Sequence, residues 1–147
     1  VLLACSLLAR LTLAAAESPE HPWMSEKDMR ADFVGGTLRG YYRTGGPWIA
    51  SYDGGGHYDV REGELRAVGS WYFRGRAFCF LYGPPVWSLE ERCVATVKVS
   101  ANCYEFHLVW PDAQDDGEGK GFRPQRRWHS RGWRQKEPST CDTTPIV

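Results

Sequence analysis

Residues 93–110 read CVATVKVSANCYEFHLVW. Apolar Ala95, Val97 and Val99 alternate with polar Thr96, Lys98 and Ser100. Tyr104, Phe106, Leu108 and Trp110 alternate with Glu105 and His107. A repeat of two marks strands with two unlike faces. Cys93 to Val99 and Tyr104 to Trp110 are therefore expected to form a hairpin.

Working back from that hairpin, short runs separated by turn residues recur. Thr37 to Tyr42 precedes Thr44-Gly45-Gly46-Pro47, and Trp48 to Tyr52 precedes Asp53-Gly54-Gly55-Gly56. His57 to Val60 and Glu64 to Ala67 flank Arg61-Glu62-Gly63, while Val68 to Phe73 and Arg76 to Tyr82 flank Arg74-Gly75. A looser segment after Gly83-Pro84-Pro85 runs through Glu91. The chain carries seven Trp, seven Tyr, six Phe, sixteen Gly and nine Pro. Aromatics suit pleated, half-buried surfaces, and Gly and Pro supply turns. The expected class is mainly β: a small antiparallel meander, barrel-like or strongly curved. One short helix is expected ahead of it. Ser25 is its N-cap with Asp28 at N3, Met24 and Met29 form a hydrophobic staple, and Gly35-Gly36 end it. Met29 and Phe33 share one face, suited to plugging an open end or covering an edge.

Three segments follow from this. Residues 1–16, VLLACSLLARLTLAAA, read as a signal peptide cleaved before Glu17. The run is shorter than the ~20 apolar residues a spanning helix needs. No Met and no basic segment precede it, so the start reads as truncated. Leu2-Leu3-Ala4-Cys5 is a loose lipobox, which makes a lipoprotein the lesser alternative. Residues 17–110 are the β domain with its helix. Residues 111–147 read as an irregular tail, first acidic and then basic. The net charge of zero hides an asymmetry: residues 17–118 hold ten basic and sixteen acidic groups, and residues 119–147 hold seven and two.

Without the leader, four cysteines remain: Cys79, Cys93, Cys103 and Cys141. An even number in an exported chain reads as disulfides. Zinc is disfavoured because no CxxC pair exists. Of three possible pairings, Cys79–Cys93 with Cys103–Cys141 is expected. A closed loop of about 15 residues stabilises by roughly 3 kcal/mol on the chain-entropy model.

The order of several elements carries a family resemblance. The helix ends in Gly35-Gly36-Thr37-Leu38-Arg39-Gly40; Trp48 and Tyr52-Asp53-Gly54 follow, then Gly69-Ser70-Trp71, Cys79, Cys93 and Tyr104-Glu105-Phe106. Over roughly residues 24–110 the chain resembles the exported bacterial family catalogued as domain of unknown function 995. The resemblance implies export, a β-sheet domain and a Cys79–Cys93 pair, and it brings no activity with it. The tail after Gly121 lies outside it.

Candidate sites are few. Asp53 to Asp59 holds a glycine run, but phosphate cradling needs such a run to open a helix. A hairpin turn is expected there. Gly69-Ser70-Trp71 resembles the G-x-W element of lipocalin-like barrels, with Trp71 expected in the core. Asp112 to Gly117 starts like an EF-hand loop, yet Arg123 stands where the closing Glu belongs. His21, His57, His107 and His129 form no ligand pattern, and no hydrolase, zincin or P-loop motif is present. No catalytic residue, metal or cofactor is assigned. Arg126, Arg127, Arg131 and Arg134, interleaved with Trp128 and Trp133, are candidates for an anionic envelope partner. The competing expectation is that this basic tail folds against the acidic body, clipped by Cys103–Cys141. Trp48, Tyr52 and Trp71 are candidates for an aromatic ligand cavity. The expected function is a non-enzymatic exported binding or structural module whose partner is an envelope component or another exported protein, not nucleic acid. The alternatives are a carrier of a small apolar ligand and an inhibitor of an exported hydrolase.

Overall fold

The computed structural model describes residues 22–83, 91–110 and 122–142. The leader with Cys5, His21, and the acidic run with its EF-hand-like stretch lie outside these residues.

The described elements run α1 (Glu26–Phe33), β1 (Thr37–Tyr42), β2 (Pro47–Tyr52), β3 (His57–Glu62), β4 (Leu65–Arg74), β5 (Ala77–Tyr82), β6 (Arg92–Ser100), β7 (Cys103–Leu108) and β8 (Ser130–Arg134). Each strand pairs antiparallel with the next, and β8 returns to β1, closing the barrel. Closure removes the exposed edges that an open meander leaves.

Three expectations need adjusting. Glu64 to Ala67 and Val68 to Phe73 are one continuous strand, β4. No turn residue separates Ala67 from Val68, so nothing interrupts the ladder. The face of β6 is also the reverse of the one its apolar residues suggest. Val94 and Thr96 pair with inward-facing Leu108 and Phe106, while Val99 is exposed. Beyond its pairing with β5, the edge of β6 is taken up by the N-terminal segment. Trp23 bridges Val97, and Met24 N donates to the Thr96 carbonyl at 2.8 Å. Lastly, the segment after residue 110 is not irregular throughout, for Ser130–Arg134 is the closing strand. Its alternation is masked because Gly132 supplies no side chain where an apolar residue would report the inward face.

Gly132 has a steric purpose. It faces Gly40 across the β1–β8 seam, and the Trp48 ring lies over both. A Cβ on Gly132 would sit 2.7 Å from Trp48 Cη2, and one on Gly40 would collide with the Arg131 carbonyl. The two glycines thus make room for one indole. Trp48 is an inward residue of β2, beside Phe106 with ring centroids 5.9 Å apart.

Helix α1 plugs one end. Ser25 caps it by accepting from Asp28 N, and Gly35 leaves it at φ +78°. Met29 and Phe33 are fully buried. Phe33 packs edge-on to Tyr104 at 5.0 Å and stacks on Phe78 at 6.1 Å. Asp32 locks the plug in place: its Oδ2 accepts from Tyr104 OH at 2.9 Å and from Lys98 Nζ at 3.0 Å.

Both expected disulfides form, Cys79–Cys93 and Cys103–Cys141. The second ties the β7 start to the chain beyond β8, closing 38 residues, which is about 4 kcal/mol on the chain-entropy model. Two disulfides indicate an oxidising, exported environment. Among the described residues no helix is long and apolar enough to cross a membrane. The barrel's outer positions include Arg39, Asp59, Arg61, Arg66 and Glu105, while its interior is aromatic. A membrane-spanning barrel has the opposite polarity.

Candidate binding site

At the end opposite α1 the interior is not completely filled. A cavity of about 70 Å³ remains among inward residues of most of the strands. Trp48, Tyr52, Tyr58, Phe80 and Phe106 wall it, and Tyr42, Glu62, Tyr82, Arg92 and His129 stand toward its mouth. The alternation of the strands places them there. Trp48 pairs with Glu62, Tyr52 with Tyr58, and Phe80 with Arg92 across their ladders.

The wall is rich in hydrogen-bond donors. Trp48 Nε1 and the Tyr58 hydroxyl are buried without a partner, their residues only 6% and 5% exposed. Tyr82 lies edge-on to Tyr58 with centroids 5.7 Å apart, and its hydroxyl is near enough to add to burial in raising the Tyr58 phenol, but the pair falls outside hydrogen-bond geometry. Among the described residues the only other such atom is Thr96 Oγ1, which is not in the cavity wall. An orphaned buried donor carries a desolvation cost of about 1–3 kcal/mol.

Among the described residues one carboxylate lines the cavity, Glu62, and its Oε1 accepts from Tyr42 OH. Burial first, and then this hydrogen bond to Glu62, push the Tyr42 phenol far above its ordinary range. Burial likewise raises Tyr52. Burial, reinforced by the charge of Arg92, holds His129 below the ordinary imidazole range. Arg92 itself is exposed, lies 5.9 Å over the Tyr82 ring and has no ion pair to another described residue. The arrangement can hold a small guest by aromatic contact and donated hydrogen bonds.

Of the residues expected in an aromatic cavity, Trp48 and Tyr52 belong to it and Trp71 does not. Trp71 Nε1 donates to the carbonyls of Asp53 and His57, and Arg30 of α1 lies 5.8 Å over its ring. It packs the plugged half. The glycine run before it is a hairpin turn, with Asp53 Oδ1 accepting from Gly55 N and His57 N. Those backbone donors, His57 first, hold the Asp53 carboxyl below its ordinary range.

The candidate anionic-partner residues are divided. Arg131 Nη2 and Nε reach Glu105 Oε1 at 2.6 and 2.9 Å, with the Arg131 guanidinium 4.7 Å over Trp128. Arg134 pairs with Glu137 at 2.7 Å and approaches Asp32 at 3.6 Å. Trp133 packs beside Tyr41. These residues fasten the tail to the barrel body. Arg126 and Arg127 remain exposed, without an ion pair to another described residue. His107 is buried, its Nδ1 2.8 Å from the Gln125 carbonyl and its Nε2 3.4 Å from Glu105. Among the described residues the one close group of metal-ligand types is Cys79, Glu91 and Cys93, whose two sulfurs are joined in the disulfide.

Tyr58, Glu62, Arg92 and His129 were not singled out from sequence as cavity residues. Glu62 stands in what reads as a turn, Arg61-Glu62-Gly63, yet β3 runs through it. Counting inward positions from Tyr58 through Val60 is the signal that reaches Glu62.

No protein-family model matches the chain, and comparison with curated proteins and with solved structures finds no match.

Proposed function

We propose that the chain is an exported binding module, periplasmic or secreted, whose barrel mouth seats a small molecule. The observation that carries this reading is the pair of buried, unpartnered donors, Trp48 Nε1 and Tyr58 OH, in the wall of one cavity. Buried polar groups are normally paired, and exceptions call for a reason. An eight-stranded barrel is also the size that holds one small ligand. The cavity argues against a carrier of a large apolar ligand: about 70 Å³ admits roughly two water-sized groups.

The test is a titration of protein with ¹⁵N-labelled tryptophan, using propionate, propionamide and propan-1-ol as probes. The Trp48 indole N–H resonance, assigned by its loss in Trp48→Phe, should move saturably with at least one probe. The Tyr58→Phe variant should weaken that response. If none of the three moves it, the donors are served by water alone and the seat is abandoned.

A further inference from the structure

The ligand class follows from counting donors against acceptors at the seat, and the inference rests on the mouth being a binding seat. An indole N–H donates only, and so does a guanidinium. Trp48 Nε1 is buried and unpaired, and Arg92 borders the same cavity without an ion pair to another described residue. The Tyr58 hydroxyl adds a third hydrogen with no acceptor. Among the described residues the only carboxylate lining the cavity is Glu62, and it accepts from Tyr42. The seat therefore holds donors without acceptors, and its one lining cation, Arg92, shares the mouth with the Glu62 carboxylate without pairing to it among the described residues.

We infer that the barrel mouth takes a short-chain monocarboxylate, whose oxygens accept from Trp48 Nε1 and Tyr58 OH and whose charge is met by Arg92. An ionised carboxylate is an acceptor-only group with two oxygens and about four lone-pair sites. It answers all three donors and brings no hydrogen that needs an acceptor. A primary amide brings two N–H groups, and an alcohol brings one O–H. Either would have to turn its own hydrogens toward the remaining lone pairs of Glu62, away from the unpaired donors. Hydrogen bonds with one charged partner are also roughly twice as strong as neutral ones.

Size narrows the class further. The space of about 70 Å³ is lined by the rings of Trp48, Tyr52, Phe80 and Phe106. It has room for roughly two water-sized groups, so it fits a tail of about two carbons rather than a fatty acyl chain. Burying a carboxylate away from cations is costly. The expected pose keeps the charged end on the Arg92 side of the mouth and lays the short tail on the rings.

The experiment compares propionate with propionamide, which has nearly the same shape but no charge, on the wild-type protein and on Arg92→Gln. The readout is the Trp48 indole N–H shift against probe concentration. Propionate should bind at least ten-fold more tightly than propionamide to the wild type. Arg92→Gln should erase that preference, weakening propionate far more than propionamide. Hexanoate should bind more weakly than propionate, because its tail exceeds the cavity. Equal affinities for propionate and propionamide, or a propionate preference that survives Arg92→Gln, overturn the inference while leaving a seat for neutral molecules. Silence with both probes overturns the inference and the seat together.

Discussion

At the helix end, Asp32 accepts from Tyr104 and Lys98, and Asn102 is saturated. The Asn102 amide nitrogen donates to the carbonyls of Arg134, Glu137 and Pro138, and its oxygen accepts from Arg134 N at 2.8 Å. At the mouth, Trp48 and Tyr58 hold buried donors with nothing to receive them. The same strands build both ends, so the difference lies in what was placed beside each polar group. One end is finished with intramolecular partners and serves stability. The other keeps hydrogen-bonding capacity in reserve, the pattern expected where a guest completes the structure.

The largest effect that sharpens this contrast comes from the plug. Phe33 is fully buried among Phe78, Tyr104 and Phe106. Phe33→Ala removes an aromatic ring from the closed end, which costs about 3–5 kcal/mol in such sites. Urea unfolding should show the midpoint fall accordingly. A loss below about 1 kcal/mol would mean that α1 is an ornament on the barrel rather than its closure.

Deleting one hydroxyl at each end compares them directly. Tyr104→Phe strips Asp32 of a partnered donor, and a hydrogen bond to a charged group contributes about 1.5–3 kcal/mol. Tyr58→Phe removes a hydroxyl that has no partner, so stability should stay within about 0.5 kcal/mol or rise. Equal losses in both variants, measured by the same urea titration, would erase the distinction between the ends.

Much of the scaffold was legible in the sequence, and the reasons are local. Ser25, Asp28, Met29 and Gly35 announce α1 because capping and left-handed termini depend on neighbouring residues. Turn glycines at Gly45, Gly56, Gly63 and Gly75 take positive φ, and these punctuate most hairpins. Both disulfide pairs also agree with the expected pairing. What stayed hidden depends on contacts distant in sequence. Gly132 looks like a break in the tail until Trp48, 84 positions earlier, is seen filling its place. The N-terminal segment that pairs with the edge of β6, with Met24 in the core and the Trp23 ring against His107, is likewise distant in sequence. At the candidate site, Trp48 and Tyr52 were legible as aromatics, but Trp71 was not separable from them. Only the barrel's curvature tells which rings meet α1 and which meet the cavity.

The smallest effect concerns protons at the mouth. His129 faces Arg92, Arg43 and Glu62, and its ring lies 5.1 Å from that of Tyr42. Burial, then the neighbouring arginines, hold its folded-state pKa below the ordinary 6.5, with Glu62 opposing. The unfolded chain therefore binds a proton on this group at higher pH than the folded chain does. As pH falls from 6.5 through the folded-state value, protons favour the unfolded state and stability declines. Asp53 and Asp59 also shift, but their carboxyls sit below 3.8, so their losses come in a lower window. Urea midpoints measured between about pH 7 and about pH 5 should slope downward in the wild type and flatten in His129→Gln. An unchanged slope in the variant would place the mildly acidic instability elsewhere in the barrel. A flattened one would show that the mouth, besides keeping its donors unpaired, also holds a cation in abeyance beside Arg92.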